Sequence, residues 1–180
     1  MRKIKNEELN RLSADEFKKA EKTPVILVLD DVRSAMNVGS AFRTSDAFRI
    51  AKICLCGITA TPPHREINKT ALGAQDTVEW EYFETIDQCV LQLKQSDWHI
   101  VAVEQADEST SLLDFVIETN RNYAFVFGNE VFGVNDQVIQ SADAVLEIPQ
   151  FGSKHSLNIS VTIGVILWDF LSKTAKNSLH

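Results

Sequence analysis

The chain has 180 residues, 44% of them hydrophobic, and a formal charge of −7, which suits one domain with a proper core. No apolar run is long and uncharged enough to span a bilayer, and residues 1–5 lead into polar sequence with no secretory signal core, so a cytoplasmic protein is expected. The negative balance argues against nonspecific nucleic-acid binding but leaves room for a local basic patch, with Arg33, Arg43, Arg49, Lys52, His64, Arg65 and Lys69 as candidates.

Residues 2–22 are charged, with Leu9, Leu12, Phe17 and Ala20 at intervals of three to five. That spacing predicts an amphipathic helical extension over 1–22, lying on a domain that runs from 23 to 180. A dense β-type run over 24–29 ends in Asp30-Asp31 and predicts a buried strand. Residues 37–48 read as a helix, and 51–58 as a second strand closed by Thr61-Pro62-Pro63. Cys54, Cys56 and Cys89 are odd in number and lie in apolar runs, the pattern of reduced core residues. No metal site is expected. Residues 64–77 are polar and contain Gly73, which predicts a loop with a helical turn. Helical spacing returns over 85–94. Strands follow at 98–103 and 122–127, then a short helix at 134–141, a last strand at 144–148 and a final helix at 157–171. Strands alternating with helices predict an α/β fold, its sheet mostly parallel with helices on both faces.

Three stretches concentrate polar residues at strand-to-helix junctions. In the first, 37–44, a helical wheel puts Val38, Ala41, Phe42, Ser45 and Phe48 on the core face. Arg43 then points away from its own core, with Gly39 one turn before it leaving space above it. A guanidinium on a rigid helix suits a planar anion such as phosphate, although the spacing alone favours an exposed surface arginine. In the second, 127–134, Gly128 and Gly133 bracket Glu130; the glycines permit close backbone approach or positive φ, and an ordinary turn with a capping Glu fits too. The third, 148–160, reads strand, glycine-bearing loop and helix N-terminus, with Ser156 as the N-cap. Carboxyl ends of strands in an open α/β sheet are where ligands bind. The following helix carries only a narrow polar stripe of Asn158, Thr162 and Asp169. A helix apolar nearly all round must be covered on both sides, one side by its own sheet and the other by a second subunit.

These stretches are N-x-G-x-x-x-R-T from Asn37, G-N-E-x-x-G from Gly128 and I-P-x-x-G-x-x-x-S-L-N-x-S from Ile148. In order and context they resemble the three motifs of the SpoU (TrmH-type) RNA ribose 2′-O-methyltransferases of the SPOUT class, over roughly 25–171. The resemblance implies a C-terminal trefoil knot, an obligate homodimer and S-adenosylmethionine as cofactor, held largely by backbone groups. Carried onto this chain, the cofactor-binding residues are Phe127, Gly128, Asn129, Gly133, Ile148, Pro149, Gly152, Ser156 and Leu157. The catalytic set is Arg43, Asn37, Glu130, Ser156 and Asn158, with the arginine acting across the dimer interface. RNA would be met by Arg33, Arg43, His64, Arg65, Lys69 and Lys154. From the 180 residues, neither the extra N-terminal RNA-binding domain of some relatives nor more than a very short C-terminal extension like that of tRNA-specific members is expected.

The implied chemistry is attack of a ribose 2′-oxygen on the sulfonium methyl, leaving a neutral thioether. It needs positioning and help with the 2′-OH proton. Arg43 is implied as general base, or as a phosphate clamp that stabilises developing negative charge. The implied substrate is a ribose 2′-OH in tRNA or rRNA; two other readings are a non-catalytic knotted RNA-binding dimer and a knotted methyltransferase acting on a base.

Overall fold

The computed structural model describes residues 1–5, 8–9, 11–153 and 156–177. Its strands are β1 Thr23–Asp30, β2 Ile50–Cys56, β3 Trp80–Phe83, β4 Trp98–Val103, β5 Thr110–Ser111, β6 Asn122–Phe127 and β7 Ala144–Glu147. They form one sheet in the order β3-β2-β1-β6-β4-β7-β5, and every pairing is parallel. The helices are α1 Ala14–Lys19, α2 Ala35–Ala47, α3 Arg65–Ala71, α4 Ile86–Gln95, α5 Asp136–Ser141 and α6 Ile159–Asn177.

The alternation along β1 shows why the sheet is covered twice. Val25, Leu27 and Leu29 enter one core; Ile26 and Val28 enter the other, and all five are buried. A strand buried on both faces is characteristic of parallel sheets. The first core takes Phe17 of α1, Val38, Ala41 and Phe42 of α2, Ile67 of α3 and Ile163, Ile166, Leu167 and Phe170 of α6. The second takes Ile86, Val90 and Leu93 of α4 and Val138 of α5. Cys54, Cys56 and Cys89 are buried, free thiols in that second core. A hydrogen bond with Cys89, together with burial, pushes the Cys54 thiol far up, away from a reactive thiolate.

Several elements differ from the sequence-based expectation. The N-terminal helix is only Ala14–Lys19, closed by a Ser13–Glu16 capping box. Phe17 is buried, but Leu9 and Leu12 are exposed. The expected loop at 64–77 contains a seven-residue helix, because Ile67 and Ala71, one turn apart, are both buried against the core. The His64 ring nitrogen caps it by accepting from Glu66 N–H at 3.2 Å. β3 and β5 were not expected: one is a four-residue edge strand and the other has two residues, too short for a periodic signal. α6 starts at Ile159 and is capped by Asn158 rather than Ser156. The Asn158 Oδ1 accepts from Ser160 N at 2.9 Å and from Ser160 Oγ at 2.6 Å. Among the described residues, no helix is long and apolar enough to cross a membrane.

Candidate active site

The carboxyl ends of β4, β6 and β7 open into a cavity of about 470 Å³. Its wall is built from Phe127, Gly128, Asn129, Glu130 and Gly133 after β6, from Leu146, Glu147, Ile148 and Gln150 after β7, and from Ser156, Leu157 and Asn158 ahead of α6. Of the expected cofactor residues, Pro149 and Gly152 do not line it. The loop after β6 is closed on itself: Asn129 N donates to Gly133 O at 3.0 Å, and Gly133 N to Asn129 O at 2.9 Å. A Cβ at Gly128 would fall 2.1 Å from that same Gly133 oxygen, so only glycine allows this closure. Asn129 fastens the loop further. Its Nδ2 donates to Asp31 O at 2.8 Å and its Oδ1 accepts from Val131 N at 2.8 Å.

The three polar stretches meet in one hydrogen-bonded chain. Asn158 Nδ2 donates to Asn37 Oδ1 at 3.3 Å, and Asn37 Nδ2 donates to Glu130 Oε1 at 3.2 Å. The Glu130 carboxylate also accepts from Arg33 N at 2.9 Å and Ser34 N at 3.1 Å. These two N–H groups stand at the start of α2, where Ser34 is the N-cap and where a carboxylate is favoured by unpaired donors and by the helix dipole. Burial raises the Glu130 carboxyl, but hydrogen bonds from the Arg33, Glu130 and Ser34 backbone and from Asn37 outweigh it and hold it below the ordinary value. Three of its acceptor positions are thus occupied within the protein, which suits an anchor better than a proton acceptor.

Arg43 is exposed on α2 and does not line the cavity. Among the described residues its side chain makes no hydrogen bond or ion pair. Gly39 is not open space beside it. The glycine is buried where α3 crosses α2, and a Cβ there would meet Thr70 Oγ1 at 2.1 Å and Ile67 O at 2.4 Å. The wheel placed Gly39 correctly on the side away from the sheet, but α3, unforeseen as a helix, covers that side. Arg33 and Arg65 are exposed, His64 caps α3, and Lys69 pairs with Glu66 at 2.7 Å. Lys154 lies outside the described residues.

The expected site residues include none from the end of β4, where Val103, Glu104 and Gln105 line the cavity, and they also omit Val131, Leu146, Glu147, Gln150, Ile159 and Thr162 of its wall. The available signal was the end of the strand at Val103, since ligands sit at carboxyl ends of such strands. Among the described residues no group of His, Cys, Asp and Glu could hold a metal ion.

The sequence matches the SpoU rRNA methylase family over residues 24–168. It is similar to the 23S rRNA (guanosine-2′-O-)-methyltransferase RlmB of Bordetella pertussis, with 30% identity over 146 residues, 81% of this chain and 58% of that protein. The chain spans 55–60% of the length of curated rRNA methyltransferases that it matches. The fold is shared with the Aquifex aeolicus TrmH/SpoU tRNA modifying enzyme: TM-score 0.80, 23% identity, 92% of this chain and 84% of that one. It is also shared with an AdoMet-bound rRNA methyltransferase from Sinorhizobium meliloti: TM-score 0.77, 23% identity, 87% of this chain and 59% of that one.

Proposed function

This chain belongs to the SpoU rRNA methylase family, and from that premise we propose that it is an S-adenosylmethionine-dependent RNA methyltransferase acting on a ribose 2′-OH of tRNA or rRNA in the cytoplasm. The observation that carries this reading is the chain Glu130–Asn37–Asn158 at the rim of the cavity, which joins all three motifs. The cavity suits the cofactor. Its volume lies in the range of about 300–1,000 Å³ usual for small-molecule sites, and its walls combine apolar Val103, Leu146, Ile148 and Leu157 with strand-end backbone. When bound there, S-adenosylmethionine supplies a methyl group already activated on a positively charged sulfur.

The chain's own residues then have positional work. Glu130 ties the start of α2 to the loop after β6, keeping two walls of the site in register. Asn37 holds Asn158, and Asn158 caps α6, so the floor of the cavity is braced from three elements. Ser156 and Asn158 face the cavity from the third motif. Arg43 serves the partner subunit's site in this reading, which is supported by its exposure and its absence from its own cavity wall. A guanidinium holds its proton and is a poor proton acceptor, so we assign Arg43 to clamping RNA phosphate and stabilising the developing oxyanion. Arg33, His64, Arg65 and Lys69, with Lys154, extend the RNA surface.

The homodimer belongs to the same proposal. α6 buries Ile163, Ile166, Leu167 and Phe170 in its own core yet exposes Val161, Val165, Trp168 and Leu171, with Trp168 at 63%. Apolar residues three and four apart on one helix face form a continuous stripe, and a second copy would cover it. We also infer the trefoil knot, supported by membership of the family and by strand order, since β7 lies beyond β4 from β6.

The test is methyl transfer to mixed RNA followed by nuclease digestion and nucleoside analysis. A 2′-O-methylated nucleoside is expected. A methylated base, or no product from protein shown to bind S-adenosylhomocysteine, would overturn the reading.

A further inference from the structure

Glu104 lines the cavity wall and lies outside all three motifs. It follows β4 directly, and its N–H donates to Leu146 O at 3.0 Å, which continues the β4–β7 pairing into the cavity rim. Its carboxylate is doubly tethered. Oε1 accepts from Gln105 N at 2.9 Å, and Oε2 accepts from Val134 N at 2.9 Å. A carboxylate has about four lone-pair positions, two on each oxygen. The tethers take one from each, so each oxygen keeps one acceptor position.

Gly133 makes room for this arrangement. Its φ of +72° is a conformation that L side chains rarely adopt, and a Cβ there would lie 2.3 Å from Glu104 Oε2. The second motif's last glycine therefore serves a carboxylate as well as a turn. The result is a rigid fork, one acceptor per oxygen, with two strand ends behind it.

We propose that Glu104 is the residue that recognises the adenosyl ribose of the cofactor, by accepting from its vicinal 2′- and 3′-hydroxyls. Two adjacent hydroxyls match a fork of two oxygens, one donor to each. The same chemistry recurs where an acidic side chain at a strand end takes the ribose hydroxyls of a dinucleotide. The tether to Val134 adds a consequence. Binding the ribose braces the segment that closes the 128–134 loop, and with it Asn129 and Glu130. This inference rests on the cofactor assignment above.

The test is calorimetry with S-adenosylhomocysteine and its 2′-deoxy and 3′-deoxy analogues, on the wild-type chain, Glu104→Gln and Glu104→Ala. The wild type should bind the parent compound about 10- to 100-fold more tightly than either deoxy analogue, the range for one or two charge-assisted hydrogen bonds. Glu104→Ala should bind all three within about threefold of one another, because a coupling between two groups vanishes when either is removed. Glu104→Gln keeps one acceptor oxygen and replaces the other with an NH2 donor, so it should fall between. It also serves if the alanine variant fails to fold. A purely structural Glu104 would weaken all three ligands equally and leave the wild-type ratio intact in the variants, which would overturn the proposal. So would a wild type that binds the parent compound without distinguishing the analogues. A wild type that binds none of them would instead overturn the cofactor assignment itself, and the proposal with it.

Discussion

Gly39→Ala probes the contact between α2 and α3, where the space expected beside Arg43 is instead a packing joint. The added Cβ would lie 2.1 Å from Thr70 Oγ1, 2.4 Å from the Ile67 carbonyl oxygen and 3.0 Å from Ile67 Cα. An ordinary C···O approach is about 3.3–3.6 Å, so α3 must retreat by about 1 Å. Thr70 can rotate away only by giving up its 2.9 Å hydrogen bond to Met36 O. The Ile67 carbonyl belongs to helix backbone and cannot rotate. Overpacking of this kind costs about 1–3 kcal/mol, and replacing a helical glycine offsets up to about 1 kcal/mol of it. The net expectation is a loss of about 1–2 kcal/mol, or about 2–8 °C in Tm for a chain of this size. Urea titration and thermal melts of the full chain measure it. Methyl transfer per folded molecule should be largely kept, because Gly39 lines no part of the cavity. A variant stabilised by about 1 kcal/mol would mean that helix propensity alone decides. Stabilisation with lost activity would restore the view of Gly39 as ligand space.

Asp30 supplies a pH test. Burial, then the nearby Asp31 and Asp87 charges, push its carboxyl from 3.8 up to about 6. Because the folded state holds this proton more tightly than the unfolded chain, the contribution is complete below pH 4 and is lost as pH rises through 6. Asp30→Asn should therefore raise Tm at pH 8, by up to about 3 kcal/mol of stability, and change little at pH 4; an equal effect at both would refute the assignment. Trp168→Asp should convert a sedimenting dimer into monomer or unfold it, since an unpaired charge in a covered apolar face is costly; an unaltered dimer would remove α6 from the interface. Arg43→Ala should abolish methyl transfer and leave S-adenosylhomocysteine affinity nearly unchanged, with Arg43→Lys still strongly impaired because it lacks the bidentate fork. Mixing Arg43→Ala subunits with a cofactor-binding variant should restore activity, and no recovery after confirmed subunit exchange would place Arg43 in its own chain's site.

What could be read from the sequence alone was local. Strands β1, β4 and β6 announce themselves because both their faces are apolar, and β4 and β6 fall at the expected residues, 98–103 and 122–127. The core face of α2 follows from its period, and Val38, Ala41, Phe42 and Ser45 are buried as that period requires. Polar residues at strand ends mark the three motifs, and all three reach the site. What the tertiary structure alone decided involves residues far apart in the chain. Glu130 and Asn37 are 93 residues apart, and Asn37 and Asn158 are 121 apart, yet they bond in sequence. No spacing rule encodes such partners, since they meet only when β1 and β6 pair side by side and α6 returns to α2. The same holds for Gly39, whose neighbour is a helix too short to show a period, and for Glu104, whose role depends on Val134 and Gly133 thirty residues later coming to rest against it. Hydrophobic period is a property of neighbours along the chain; the cavity is a property of strand ends that the sheet order brings together.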